Sequence, residues 1–119
     1  MSQNDSVTID APQAAPAKPR PVQKTKPKRQ PPYAVVIEND DDHTFQYVID
    51  GLCKVCGHNW VRSFLLATTI HTAGRAVVWT GSFEVAELKR DQIKGLGPDH
   101  FAPKPVNFPL GVVLEPLPD

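Results

Sequence analysis

Prolines divide this sequence more sharply than any other residue type. Of its 13 prolines, seven lie in residues 1–32 and six lie beyond residue 97, while residues 33–97 contain none. Proline fixes φ and lacks the backbone N–H that helices and sheets need, so regular structure has its uninterrupted run in that middle stretch. The aromatic residues respect the same division, with all nine at or after Tyr33. The net charge of zero hides a split: residues 1–32 carry six Lys/Arg against two Asp, a net of +4, and residues 33–119 carry seven against eleven, a net of −4. The chain reads as a disordered, Pro/Lys-rich N-terminal extension (1–32) joined to one acidic domain (33–119). A domain of that length buries enough surface to fold without metal or disulfide staples.

Composition removes several classes. No run approaches the ~20 apolar residues of a membrane span, so no membrane partner is expected. The N-terminus lacks a charged n-region followed by an apolar h-region, so no secretory signal is expected. Two cysteines, Cys53 and Cys56, make no disulfide framework, and a reduced, cytoplasmic chain is the simplest reading; a monomer is expected. The extension has almost nothing to bury, so ordering it would cost entropy without return. Fully extended it reaches roughly 100 Å. Its cluster of Lys24, Lys26, Lys28 and Arg29 leaves a nucleic-acid or ribosome-associated protein as the alternative reading, although such runs are mostly solvated tethers. The domain's net −4 argues against a phosphate-binding face.

The spacing of apolar residues predicts the order β-α-α-β-α-β. Residues 33–38 form a β-rich run, apolar on both faces, which is the pattern of a central strand. Asn39, Asp40, Asp41 and Asp42 break it, being turn and N-cap formers. Residues 44–56 have helical spacing and stop at Gly57. Asn59 caps a second helix with Trp60, Phe64, Leu66, Ala67 and Ile70 as its apolar stripe, ended by Gly74. Residues 75–80 give a second strand. Ser82 caps a third helix, with Phe83, Ala86, Leu88 and Ile93 as candidate inward residues. After a loop over 97–109, residues 110–114 give a third strand. The expected fold is α+β: a small three-stranded antiparallel sheet packed against three helices.

Three constellations carry possible chemistry. Cys53, Cys56 and His58 invite a metal or redox reading. Zinc needs a fourth ligand, and a redox pair belongs at a helix start, whereas this one sits at a helix end. Buried and surface thiols without a metal are the expectation. The acidic run from Asn39 to His43 lacks the spacing of a calcium loop. It can instead cap a helix or capture an ammonium, whose three donors need three convergent acceptors. Asn39 and Asp40 supply two, and the ring of His71 supplies a third when unprotonated. Finally, no catalytic set appears: Ser63 and Ser82 are not in a nucleophile elbow, and no Gly-rich phosphate loop is present. A binding domain without enzymatic activity, metal or cofactor is therefore expected.

The segments NDDDHTFQYVIDGL, IHTAGRA, SFEVAELK and FPLGVVLEP resemble the ClpS family of adaptors, which hand N-degron proteins to the ATP-dependent Clp protease. The resemblance covers residues 33–119. It implies that Asn39, Asp40 and His71 hold the α-amino group of a destabilising N-terminal residue. It implies a pocket for that residue's bulky side chain, lined by Asp41, His43, Phe45, Val48, Ala67, Ile70 and Leu110. Glu84 and Lys89 match positions that contact the N-terminal domain of the Clp AAA+ unfoldase, of the ClpA or ClpC type. The tail, in the family, reaches toward the unfoldase channel. The chain departs from the family's Thr-Pro-Met at His43, Thr44 and Phe45. It also carries Ala67 where the family has a Met at the pocket's gate, so amine capture carries over better than side-chain specificity.

Overall fold

The structure is a computed structural model that describes residues 30–118. Most of the expected N-terminal extension therefore lies outside the described residues. Strand β1 (Tyr33–Glu38) is followed by helix α1 (Phe45–Gly51), which continues through a π-helical turn (Leu52–Cys56). Then come α2 (Trp60–Ala73), β2 (Arg75–Gly81), α3 (Phe83–Lys94) and β3 (Gly111–Pro116). The sheet has the order β2-β1-β3, with both pairings antiparallel. The central place of β1 explains why Ala34, Val35, Val36 and Ile37 are all buried. A register shift against β2 falls between Val35 and Val36, where the partners step from Trp79 to Val77.

Local chemistry sets the helix ends. Asn59 accepts from the N–H of Arg62 at 2.8 Å and Ser82 from that of Val85 at 3.4 Å, each satisfying a donor that the first helical turn leaves orphaned. For α1 the cap is Thr44, not the preceding acidic run: its Oγ1 accepts from Tyr47 N at 3.2 Å. Gly57 and Gly74 terminate their helices with φ of 72° and 92°, a left-handed conformation that costs any residue with a Cβ.

The core lies between the helices and the sheet face bearing Val35, Ile37, Val78 and Val112, and takes in Val48, Ile49 and Leu52 from the first helical segment. Two expected inward faces differ. On α2 the buried residues are Ser63, Ala67 and Ile70, spaced i, i+4 and i+7 along one side. Trp60 is 56% exposed and Phe64 also faces outward. These two rings stack on each other at 5.2 Å, and Phe64 packs edge-on against Phe45 at 6.1 Å. They form a surface aromatic run because the small side chains at 63 and 67 let the helix approach on their side instead. On α3, Ala86 and Ile93 are buried and Phe83 is half-buried, but Leu88 is exposed. The third strand begins one residue later than the apolar run suggests and continues to Pro116.

The loop between α3 and β3 folds back on the start of α1. Asp99 and Val106 exchange backbone hydrogen bonds of 2.9 and 3.1 Å. Tyr47 donates its hydroxyl to the carbonyl of Gly97. Burial and then the charge of Asp99 push the Tyr47 phenol above its ordinary pKa, keeping that donor protonated.

Candidate functional site

The site begins where β1 runs out. Asn39 donates its N–H to the carbonyl of Gly74 at 2.9 Å, tying the turn after β1 to the residue that ends α2. The chain then reverses around Asp40. Its Oδ1 accepts the backbone N–H groups of Asp42 at 2.9 Å and His43 at 2.7 Å, an Asx-type turn that needs this short carboxylate. Its Oδ2 lies 2.6 Å from Nδ1 of His43. The other ring nitrogen of His43 donates to the carbonyl of Phe108 at 2.9 Å. His71, in the last turn of α2 just before Gly74 halts the helix, lines the same cavity as this turn.

Between the turn and the two helices lies an open cavity of about 180 Å³. One side is polar, with Asn39, Asp40, Asp41 and His71; the other is apolar, with Phe45 and Val48 from α1 and Ala67 and Ile70 from α2. An apolar cavity of about 150 Å³ holds benzene, so this volume suits one bulky side chain. Phe45 is 37% exposed and stands at the rim, its ring edge-on to His71 at 5.6 Å and to Phe64 at 6.1 Å. It leans over α2, and Ala67 still borders open space.

The carboxylate of Asp40 is held in its charged form. Burial pushes its pKa up, but hydrogen bonds from the His43 backbone, the His43 ring and the Asp42 backbone, together with the His43 charge, outweigh that and leave it below the ordinary value. A charged acceptor, an amide side chain and an imidazole thus share one polar wall beside an apolar one. That combination binds a group that is cationic at one end and apolar at the other.

Nine of the ten residues expected at the amine and side-chain subsites line this cavity. Leu110 does not: it is buried in the core just before β3, packed with Val112 and the strand face. Two further residues matter that the sequence did not bring forward. Thr44 lines the cavity, and Asp99, wholly buried in the α3–β3 loop, accepts the N–H of Thr44 at 2.7 Å. A partner 55 positions away leaves no local signal for Asp99 to be found by.

Away from the cavity, Glu84 is exposed in the first turn of α3, whereas Lys89 donates its ammonium to the carbonyl of Val55 at 2.9 Å. The two thiols are partly buried. Burial raises the Cys56 thiol above its ordinary pKa against the opposing charge of Lys89, the reverse of an activated thiolate. The His58 ring donates to the carbonyl of Val78 at 2.7 Å, which occupies one of its two nitrogens.

The β-α-α-β-α-β sheet-and-helix layer with a cavity at the β1–α1 turn defines a small α+β domain with a site for a ligand the size of one side chain. Known proteins share both sequence and architecture with it. Residues 28–109 match the family described as ATP-dependent Clp protease adaptor protein ClpS. The ATP-dependent Clp protease adapter protein ClpS of Synechocystis is 38% identical over 85 residues, covering 71% of this chain and 87% of that protein. The protein of the same description from Pectobacterium carotovorum is 42% identical over 72 residues, covering 59% of this chain and 68% of its own length. Among solved structures, Agrobacterium tumefaciens ClpS2 bound to L-phenylalaninamide superposes with a TM-score of 0.64 at 29% identity, covering 75% of this chain and all of that one. The chain belongs to the ClpS family of Clp protease adaptors.

Proposed function

We propose that this adaptor reads the first residue of its substrates, binding both the free α-amino group and a bulky apolar side chain, and delivers them to a Clp AAA+ unfoldase. The observation that carries this reading is the cavity itself, in which the charged Asp40 and the ring of His71 line the same space as Val48, Ala67 and Ile70. L-phenylalaninamide, the ligand of the Agrobacterium relative, has the two features that such a cavity selects, a free amine and a large apolar side chain.

Selectivity follows from the cost of unpaired charge. A terminal ammonium offers three donors, and Asn39, Asp40 and unprotonated His71 offer three kinds of acceptor. An internal residue has no free amine, so docking it would cover Asp40 and leave the one acceptor site that the Asp42 N–H, the His43 N–H and the His43 ring do not fill without a donor. The apolar side chain adds about 1.5–3 kcal/mol when fully buried. Neither half suffices alone, and recognition becomes a joint requirement for amine and side chain.

Delivery would use α3, where exposed Glu84 and half-buried Lys89 match the family's contacts with the unfoldase N-terminal domain, together with residues 1–32 as a tether. The test is reconstituted degradation of a fluorescent protein that begins with Phe, using the full chain with a ClpA- or ClpC-type unfoldase and its peptidase. Turnover that depends on the adaptor and stops when the substrate's first residue is preceded by Met supports the reading. Turnover indifferent to the first residue refutes it.

A further inference from the structure

We propose that Asp99 and His43 are positioning residues, through which the loop between α3 and β3 holds the Asp40 carboxylate in the orientation that receives an ammonium. This rests on the reading of Asp40 as the amine's anionic partner. Asp99 is 0% exposed and is the one charged residue buried among the described residues. A buried carboxylate is costly unless its acceptors are filled. No cation pairs with it among the described residues. What fills it is Thr44, through the backbone N–H at 2.7 Å and Oγ1 at 3.1 Å, and the N–H of Phe101 at 2.9 Å. Its compensation therefore comes from its own loop and from the residue that joins the amine-binding turn to α1.

The same loop grips His43. The paired backbone bonds between Asp99 and Val106 close the loop so that Phe108 arrives over the imidazole. Phe108 accepts from Nε2 at 2.9 Å through its carbonyl and meets the ring edge-on at 5.1 Å. Tyr47, itself anchored to the Gly97 carbonyl, stacks on the imidazole at 5.1 Å. The His43 side chain is 1% exposed. A carbonyl only accepts, and so does an ionised carboxylate, so both ring nitrogens act as donors. The ring is a rigid strut from Phe108 to Oδ2 of Asp40, with Oδ1 fixed by two backbone N–H groups. A carboxylate offers about four acceptor sites. Three are occupied in this way, and the fourth is left with a defined direction. Binding to a group already oriented avoids the cost of ordering it.

The test measures the affinity of full-length protein for a Phe-starting peptide, its N-acetylated form and an Ala-starting form, alongside thermal melts. Wild type is compared with Asp99→Ala, Asp99→Asn and His43→Gln. Expected is at least a tenfold weakening toward the free-amine Phe peptide in Asp99→Ala, with a narrowed gap between free and acetylated peptide. The Phe-to-Ala preference should hold, because the apolar wall is untouched. Asp99→Asn should recover part of the affinity, since its amide oxygen still accepts from Thr44 N while its NH2 loses the bond from Phe101 N. General destabilisation would instead weaken all peptides in proportion and would not be rescued. Should Asp99→Ala fail to fold, His43→Gln gives the same reading. Variants that fold and keep wild-type amine discrimination overturn the positioning role alone. Wild type that fails to distinguish free from acetylated peptide overturns the amine-binding reading and this inference with it.

Discussion

Asp40 and His43 form one unit: the carboxylate takes the backbone N–H of His43 on one oxygen at 2.7 Å and faces the ring nitrogen of the same residue with the other at 2.6 Å. The pair folds the turn after β1 and keeps a negative charge at the cavity's polar side. One side chain thus serves both local structure and the proposed recognition.

Replacing Asp40 by Asn removes the charge while the amide oxygen still accepts the backbone N–H groups, although its NH2 then faces the His43 ring. Removing one partner of a buried ion pair costs about 3–5 kcal/mol. Affinity for a Phe-starting peptide should fall roughly a hundredfold or more, with a folded spectrum and a modestly lowered melting midpoint. Fluorescence anisotropy titration, with circular dichroism on the same sample, reads both.

Acid should not weaken binding through Asp40 anywhere near neutral pH. The Asp40 pKa is lowered, so its carboxylate stays charged until the pH falls below the ordinary carboxylate range. It contributes nothing to a loss between pH 8 and pH 5.5. His71 lines the same cavity as Asn39 and Asp40, where a neutral ring nitrogen offers an ammonium one acceptor. His71→Ala should therefore weaken the free-amine peptide about tenfold and leave the acetylated peptide little changed, read by the same anisotropy titration.

Ala67 borders the cavity, and the family resemblance sets this small residue against an expected Met. A β-branched side chain is wide at Cβ and would meet a Met there but not an Ala. Peptides starting with Ile or Val should therefore bind alongside those starting with Leu or Phe, and Ala67→Met should weaken the β-branched ones selectively. One or two methylenes of fit are worth about 1–3 kcal/mol. Competition titrations with peptides differing only at the first residue decide it. Equal rejection of Ile and Val by wild type and by the Met variant would mean that Phe45 fills the gap.

Gly74 stops α2 at φ 92° and offers its carbonyl to Asn39. Ala at this position would carry a left-handed backbone at a cost of about 1–2 kcal/mol. The expected result is a lower urea midpoint at unchanged m-value, because the loss is one of stability and not of compactness.

Features written in nearest-neighbour chemistry were legible in the sequence. The caps at Asn59 and Ser82, the stops at Gly57 and Gly74 and the buried run of β1 all follow from local residue types, and the structure has each of them. Which side of α2 turns inward was not legible, because Trp60 and Phe64 outweigh Ser63 and Ala67 in any count of apolar residues. Ser63 turns toward Cys53 and Ala67 toward the cavity shared with Phe45 and Val48, and the rings cover the surface instead. Asn39, Asp40 and His71 were singled out as acceptors for an ammonium, and long-range folding brings them to one cavity. Leu110 adjoins a strand whose inward residues enter the core, and it follows them there. Asp99 could not be found, since only the folded loop brings it to Thr44.

The central claim is that a free terminal ammonium is read at Asp40, and the most direct measurement compares one Phe-starting peptide with its N-acetylated twin on the wild-type protein. Acetylation removes the charge and two donors while leaving the side chain in place. The account predicts saturable binding of the free peptide and a loss of at least a hundredfold on acetylation, about 2.7 kcal/mol or more. Equal affinities for the two peptides would contradict it.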